Sequence, residues 1–464
     1  MSSYPTIHVK NFARIRDAVV EIAPLTLFVG DNNSGKTYLS SLIWGIRNFL
    51  TNDFFADDFW GEVQEKSEFH DILDWIQKTI KYPNDEKNEE YNISEKEHNI
   101  IIDVINQYLS FNKEKCVQKI FGSDVPIQHL AIEIPFETKE KAIFVLRRFN
   151  SINNHENEQI AVGTRQKAVK LIPPIYQNKP VFILQTLIQN YYRSFWKNAI
   201  YFPASRAGLL LTYRSLLDES LEIRFSSRKL PLKPDYQLTQ PQVNYIRQLL
   251  WLSNSFKNKL SSPSYRFDKV VNFIETEIID GQVLLSDTPV PEILYQPKGS
   301  NEKIPMQLVS GVVSEIASIL VCLKFVHARN ISYIIEEPEL SLHPELQQRM
   351  AQMLIRLSHR YGVLVTTHST IIAQHINNMI RYNNRQDGME LAREYGYTKN
   401  DFIIPDRIRM YQFDVEAQDG LTDVSKLEPL DNGFPIPTFA DTLREIRNEA
   451  WNNRIEKKEE LNNA

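Results

Sequence analysis

The stretch LTLFVGDNNSGKTYLSSLIWGIRNFL, residues 25–50, limits the folds open to this chain more than any other. LTLFVG reads as a buried β-strand that stops at a glycine. After it, Leu39, Leu42, Ile43, Ile46 and Leu50 recur at helical spacing and predict a helix with one apolar face. Between strand and helix, Gly30, Asp31, Asn32, Asn33, Ser34, Gly35, Lys36 and Thr37 fit G-x-x-x-x-G-K-T. That spacing lets successive backbone N–H groups curl around an anion at a helix N-terminus, while the lysine reaches the outer phosphates of a nucleotide. The Thr37 hydroxyl is the expected Mg²⁺ ligand. A strand, this loop and a helix together predict an α/β fold.

A triphosphate site needs a second half, an apolar strand that ends in carboxylates. ISYIIEEPELSLHPE, residues 331–345, supplies it. Glu336 is the candidate metal-shell ligand and Glu337 the candidate base that polarises an attacking water. Two adjacent carboxylates at the end of an apolar strand repel unless a cation lies between them. A later strand, VLVTT, ends at His368 and Ser369, where an imidazole could donate a hydrogen bond to a terminal phosphate.

The sequence has 464 residues, more than one core usually serves, and alternates regions of different pattern. We divide it into residues 1–50 as the first part of a nucleotide-binding head and 51–198 as an inserted helical and β segment. Residues 199–208 form a return strand, 209–300 a helical and hairpin insertion, and 301–464 the second part of the head. Segments within 125–173 read as a small antiparallel sheet, 81–92 as an exposed charged loop, and the C-terminal region as an αβα unit. The 53 basic and 58 acidic residues leave a net charge of −5, so any contact with nucleic acid requires a local patch. Basic runs at 147–149, 164–170 and 224–233 suit either such a contact or a solvated face. Cys116 and Cys322 are far apart, form no zinc pattern and read as buried apolar residues. With no secretory leader and no apolar run long enough to span a bilayer, the expected location is the cytoplasm, away from membranes.

The order VKNFARIRDAVVEIAPLTLFVGDNNSGKT, YFPASR, SGVVSE, IIEEPELSLHP, TTHS and DNGFPIPTF resembles the ABC-type ATPase heads of the SMC, Rad50 and OLD class. The nearest likeness is to the ATPases of bacterial anti-phage systems such as Septu and its retron-associated relatives. The resemblance implies an ABC-type P-loop head interrupted by an antiparallel β insertion and a helical insertion, with ATP and Mg²⁺ as cofactors. It also implies head-to-head dimers or larger homo-oligomers, in which nucleotide lies between one subunit's glycine loop and the other's signature segment. Ser310 and Gly311 match the Ser-Gly of that segment, and Val312 stands where a second glycine is usual. The same six residues also read as a helix cap. Glu336 replaces the aspartate common in the class, SLHP at 341–344 takes the place of its D-loop, and Arg206 lies where related heads have the Q-loop. No glutamine is present there, so Arg206 fits either that location or a surface position.

Related OLD proteins carry a Toprim nuclease with a DxD pair, and the sequence after His368 contains none. The expected function is therefore an ATP-binding and hydrolysing sensor or scaffold that controls a separate nuclease effector, such as an HNH or Toprim protein, with DNA a possible further partner. The alternative is a nucleotide-gated DNA-binding or repair ATPase without a dedicated effector. A module gated by nucleotide occupancy alone and a transporter's nucleotide-binding component are the remaining readings; the inserted sheet and Val312 speak against the transporter.

Overall fold

A computed structural model of the chain describes residues 4–52, 89–92, 94–136, 143–149, 159–163, 170–172, 188–189, 191–192, 195–196, 198–225, 238–257, 268–286, 292–325, 331–430, 433–436, 444–445, 447–449 and 451. The leading strands are β1 (Thr6–Phe12), β2 (Ile15–Glu21) and β3 (Leu25–Gly30), followed by α1 (Lys36–Asn52). Next come β4 (Glu89–Asn92), α2 (Glu95–Phe121), β5 (His129–Glu133), β6 (Ile143–Phe149), β7 (Gln159–Gly163), β8 (Lys170–Ile172) and β9 (Asn198–Phe202). Helices α3 (Arg206–Phe225), α4 (Gln240–Lys257) and α5 (Asp268–Glu277) lead to the short strands β10 (Gly281–Leu285), β11 (Ile293–Pro297) and β12 (Ile304–Pro305). The chain continues through α6 (Gly311–Phe325), β13 (Ile331–Glu336), α7 (Pro344–Ser358), β14 (Gly362–Thr367), α8 (Thr370–Asn384), α9 (Gly388–Glu394), β15 (Ile408–Val415) and β16 (Thr422–Leu427).

Nine of these strands form one sheet in the order β5-β1-β2-β16-β15-β3-β14-β13-β9. From β15 to β9 every neighbour is parallel, with Val365 opposite Leu27 and Ile335 opposite Val365. Parallel strands buried on both faces read as continuous apolar runs, which is why LTLFVG and ISYII show no alternation. The pleat sends Phe28, Ile334 and Leu364 to one face, where they pack with Leu39, Leu42 and Ile43 of α1 and with α2. It sends Leu27, Val29, Ile335 and Val365 to the other, where α6, α7 and α8 cover them. The result is a three-layer arrangement, a mixed α/β P-loop fold. Leu39, Leu42, Ile43 and Ile46 are all buried as their spacing predicted, while the side chain of Leu50 lies outside the described residues.

Long-range pairing changed several local expectations. β5, read as part of the small antiparallel sheet, instead pairs with β1 at the edge of the large one, with Ile7 opposite Ile132. The small sheet is β4-β6-β7-β8, and its first strand comes from EEYN, part of the segment read as an exposed loop. Residues 81–88 of that loop lie outside the described residues. The C-terminal region contains two strands where the αβα reading expected one: β16 pairs antiparallel with β15 and parallel with β2. Cys322 is buried as expected, and burial pushes its thiol up to about 12, but Cys116 is only half-buried. No helix among the described residues is long and apolar enough to cross a membrane.

Leu364 is 1 % exposed at the centre of the sheet. Leu364→Ala is expected to cost about 2–5 kcal/mol, read as a lower midpoint in denaturant unfolding of the full chain.

Candidate functional site

The carboxyl ends of β3, β13 and β14 meet at one edge of the sheet, where open α/β sheets place ligands. Register brings them level: Thr367 pairs with Val29, and Glu336 pairs with Thr366. The loop from Gly30 to Thr37 leaves β3 at this edge and enters α1. Two glycines make the turn possible. Gly30 has φ +134° and a side chain there would overlap the backbone carbonyl of Phe413, while Gly35 has φ +94° against the side chain of Ile15. Asn33 adopts φ +60°, and Arg14 donates to its carbonyl. Asp31, Asn32, Asn33 and Thr37 are exposed, whereas Ser34, Gly35 and Lys36 are buried.

The Lys36 ammonium folds onto its own loop. It donates to the Gly30 carbonyl at 3.1 Å, the Asp31 carbonyl at 2.5 Å and Ser34 Oγ at 3.0 Å. Burial pulls its pKa down to about 8, against the charges of Glu337, Asp31 and Glu339, which favour the ammonium. Glu336 is 4 % exposed and its carboxylate is held on several sides. Tyr201 donates to Oε1 at 2.6 Å and the Ala204 amide to Oε2 at 3.0 Å, while Ser40 donates to Oε1 at 3.4 Å. Thr37 also hydrogen-bonds this carboxylate, which joins the two halves of the site. Burial pushes Glu336 up, and these donors pull the other way.

Glu337 follows in the left-handed region, φ +41°, which a residue with a side chain rarely enters, and its amide donates to the Thr366 carbonyl at 2.8 Å. That turn leaves its carboxylate partly exposed, 3.8 Å from His368 Nε2. Burial, then the charge of Lys36, pushes His368 below its ordinary 6.5, so the imidazole is neutral at pH 7. A third acid, Glu339, accepts from the His368 amide at 2.6 Å; burial raises its pKa and its Oε2 is buried without a hydrogen-bond partner. Lys36, Thr37, Glu336, Glu337 and His368 are thus gathered by the fold. Ser310 and Gly311 are exposed at the start of α6, beside Ser341, and Ser310 Oγ accepts from the Val313 amide at 3.4 Å as a helix cap.

Arg206 is 0 % exposed, which removes the surface reading. It donates from Nη1 to the Glu336 carbonyl at 2.6 Å and from Nη2 to the Glu337 carbonyl at 3.1 Å, while its Nε lies 3.0 Å from Glu315 Oε2. One guanidinium therefore ties the end of β13 to α6, the helix that begins with Ser310 and Gly311. Burial lowers the pKa of Arg206 and raises that of Glu315, and each partner's charge opposes the shift. Sequence reading missed Glu315, Glu339, Tyr201 and Ser40. The available signals were a glutamate inside an apolar helix and the third acid of EEPE.

A family model describing the AAA ATPase domain matches residues 5–373. Three solved structures align over most of the chain. An SMC head bound to the C-terminal winged-helix domain of ScpA is 11 % identical with TM-score 0.35, over 92 % of this chain and 98 % of that one. The SMC head domain from Thermotoga maritima is 12 % identical with TM-score 0.31, over 92 % and 100 %. An SMC head with an extended coiled coil, bound to the C-terminal domain of ScpA derived from Pyrococcus furiosus, is 13 % identical with TM-score 0.37, over 96 % and 99 %. No curated protein matches the sequence.

Two predictions arise from these contacts. Arg206→Ala leaves Glu315 buried without its partner and two carbonyls without their donor, so it is expected to cost about 3–5 kcal/mol in chemical denaturation. Arg206→Met with Glu315→Leu, which removes both charges, should cost less. Lys36, with a pKa of about 8 in the folded chain against an ordinary 10.5, binds fewer protons folded than unfolded between those values. Its contribution to stability therefore rises with pH across that window and is constant below it. An anion that restores the charge reverses the effect, so ATP binding at pH 9 should take up a fraction of a proton per site. Calorimetry in buffers of different ionisation enthalpy measures that uptake.

Proposed function

The chain belongs to the family of AAA ATPase domains, and from that premise we propose that it binds ATP with Mg²⁺ and hydrolyses it as the sensor and scaffold of an anti-phage complex that restrains a separate nuclease. The observation that carries the ATPase part is the convergence of Lys36, Thr37, Glu336, Glu337 and His368 at one sheet edge. The donor set suits the nucleotide. Lys36 spends its ammonium on three oxygens of its own loop, donors that can turn to a phosphate, and Thr37 with Glu336 offers the hard oxygen ligands that Mg²⁺ takes. Bound there, the metal would neutralise charge on the terminal phosphates and between the adjacent acids.

In this reading the amides from Gly30 to Thr37 hold the phosphates and Lys36 places positive charge on the outermost. Glu337 accepts the proton of the attacking water, and its left-handed backbone sets the carboxylate toward the open side of the site. His368, neutral, orients Glu337 or donates to the terminal phosphate. Ser310 and Gly311, exposed at a helix N-terminus, are offered to the nucleotide of a second copy, which makes a head-to-head homo-oligomer the working form. Control of an HNH or Toprim effector is supported by the resemblance of the motif order to that of Septu-like ATPases. The basic runs that would touch DNA lie at side chains outside the described residues.

Lys36→Ala is expected to abolish ATP binding and turnover. Glu337→Gln should lower turnover by about 100-fold or more while ATP binding and assembly persist, as read by a phosphate-release assay and mass photometry. Turnover at the wild-type rate in Glu337→Gln would remove the proposed base. Protection against phage by this chain in cells lacking any companion nuclease would remove the effector role.

A further inference from the structure

A cavity of about 250 Å³ lies at the opposite edge of the sheet from the glycine loop. Ala23 and Pro24 lead from it into β3, Ser332 stands near the start of β13, Gly362 opens β14, and Arg407 precedes β15. The six residues of β3 therefore separate the two sites, a span of roughly 17 Å. Its lining includes Arg47, His359, Arg360 and Arg407, and no carboxylate among the described residues.

Two of these arginines have donors to spare. Arg47 projects from α1 and is 5 % exposed. Its Nη1 donates to Ser332 Oγ at 3.0 Å and its guanidinium lies over the Trp196 ring at 5.1 Å, yet Nε is buried with no acceptor. Arg407 donates from Nη2 to the Ser358 carbonyl at 3.0 Å, and its Nε is likewise buried with no acceptor. Burial pulls Arg47 down to about 10, so it stays charged at neutral pH. A buried guanidinium facing no counter-ion is costly, and the cost falls when an anion enters. Guanidinium forks match phosphate and carboxylate oxygens. Arg47 and Arg407, with idle donors and no carboxylate among the described lining residues, balance a dianion better than a monoanion. Pro24, Phe195 and Tyr361 give the cavity an apolar wall as well.

We propose that this cavity binds a small phosphate monoester, its phosphate held by Arg47 and Arg407 and its organic body against Phe195 and Tyr361. The occupant would touch the same two elements that carry the nucleotide site. Arg47 lies three turns along α1 from Lys36, roughly 16 Å, and Ser332 shares β13 with Glu336. This gives a second small molecule a direct mechanical link to the ATPase centre, independent of any effector.

The test is calorimetric titration of the nucleotide-free full chain with inorganic phosphate, phenyl phosphate and benzoate, in wild type, Lys36→Ala, Arg407→Gln and Arg47→Met. We expect phosphate and phenyl phosphate to bind wild type and Lys36→Ala equally, phenyl phosphate roughly tenfold more tightly than phosphate because it buries a ring. Arg407→Gln, at a half-buried position, should weaken both at least tenfold, and Arg47→Met should do the same if its melting temperature shows it folded. Binding lost in Lys36→Ala but kept in Arg407→Gln would locate the anion in the glycine loop and overturn the proposal. So would benzoate binding as tightly as phenyl phosphate, or no binding of any probe to wild type. Because Lys36→Ala alone removes ATP binding, failure here is distinct from failure of the ATPase reading.

Discussion

The parallel pairing of β3, β14 and β13 is the constraint from which the rest follows. Each of these strands is six residues long, and their registers end together, so the glycine loop, Glu336 with Glu337, and His368 leave the sheet at one level. A shift of one residue in any pairing would turn Glu336 toward the opposite face. The apolar packing of both sheet faces holds that register, because Phe28, Ile334 and Leu364 on one side and Leu27, Ile335 and Val365 on the other each fit only their own layer.

Arg206 extends this constraint beyond the sheet. The carbonyls of Glu336 and Glu337 are the points where β13 stops being regular and where Glu337 enters the left-handed region. A guanidinium bound to both carbonyls and facing Glu315 makes the position of α6 depend on the shape of that turn. The buried charge is expensive, and what it secures is a fixed relation between the carboxylates of one chain and the helix start that presents Ser310 and Gly311.

Positive charge is distributed at both edges of the sheet for different reasons. At the carboxyl edge Lys36 is surrounded by Asp31, Glu337 and Glu339, so the folded chain already compensates it in part. At the amino edge Arg47 and Arg407 keep idle donors in a cavity with no carboxylate among the described residues that line it. The contrast separates a centre where acids face the cation from a cavity whose described lining offers the two guanidiniums none.

Much of the fold was legible in the amino-acid order. Gly30, Gly35 and Lys36 occur at a spacing that few structures other than a phosphate-binding turn can use, and the apolar runs before Gly30 and Glu336 identify strands buried on both faces. The helical face of Leu39, Leu42, Ile43 and Ile46 is equally local in origin. Residues remote in sequence decided the remainder. EEYN becomes β4 only because β6 pairs with it, TDVSKL becomes β16 between β15 and β2, and the strand at 129–133 goes to the large sheet because β1 offers an open edge. Arg206 fits a surface position as well as the Q-loop location until the turn after β13 and a glutamate from α6 close around it, and Glu339 reads as one acid among several until the His368 amide meets it. Short-range pattern determines which segments are strands, turns and helices; the partners of a buried charge are set by three-dimensional proximity, which no spacing along the chain encodes.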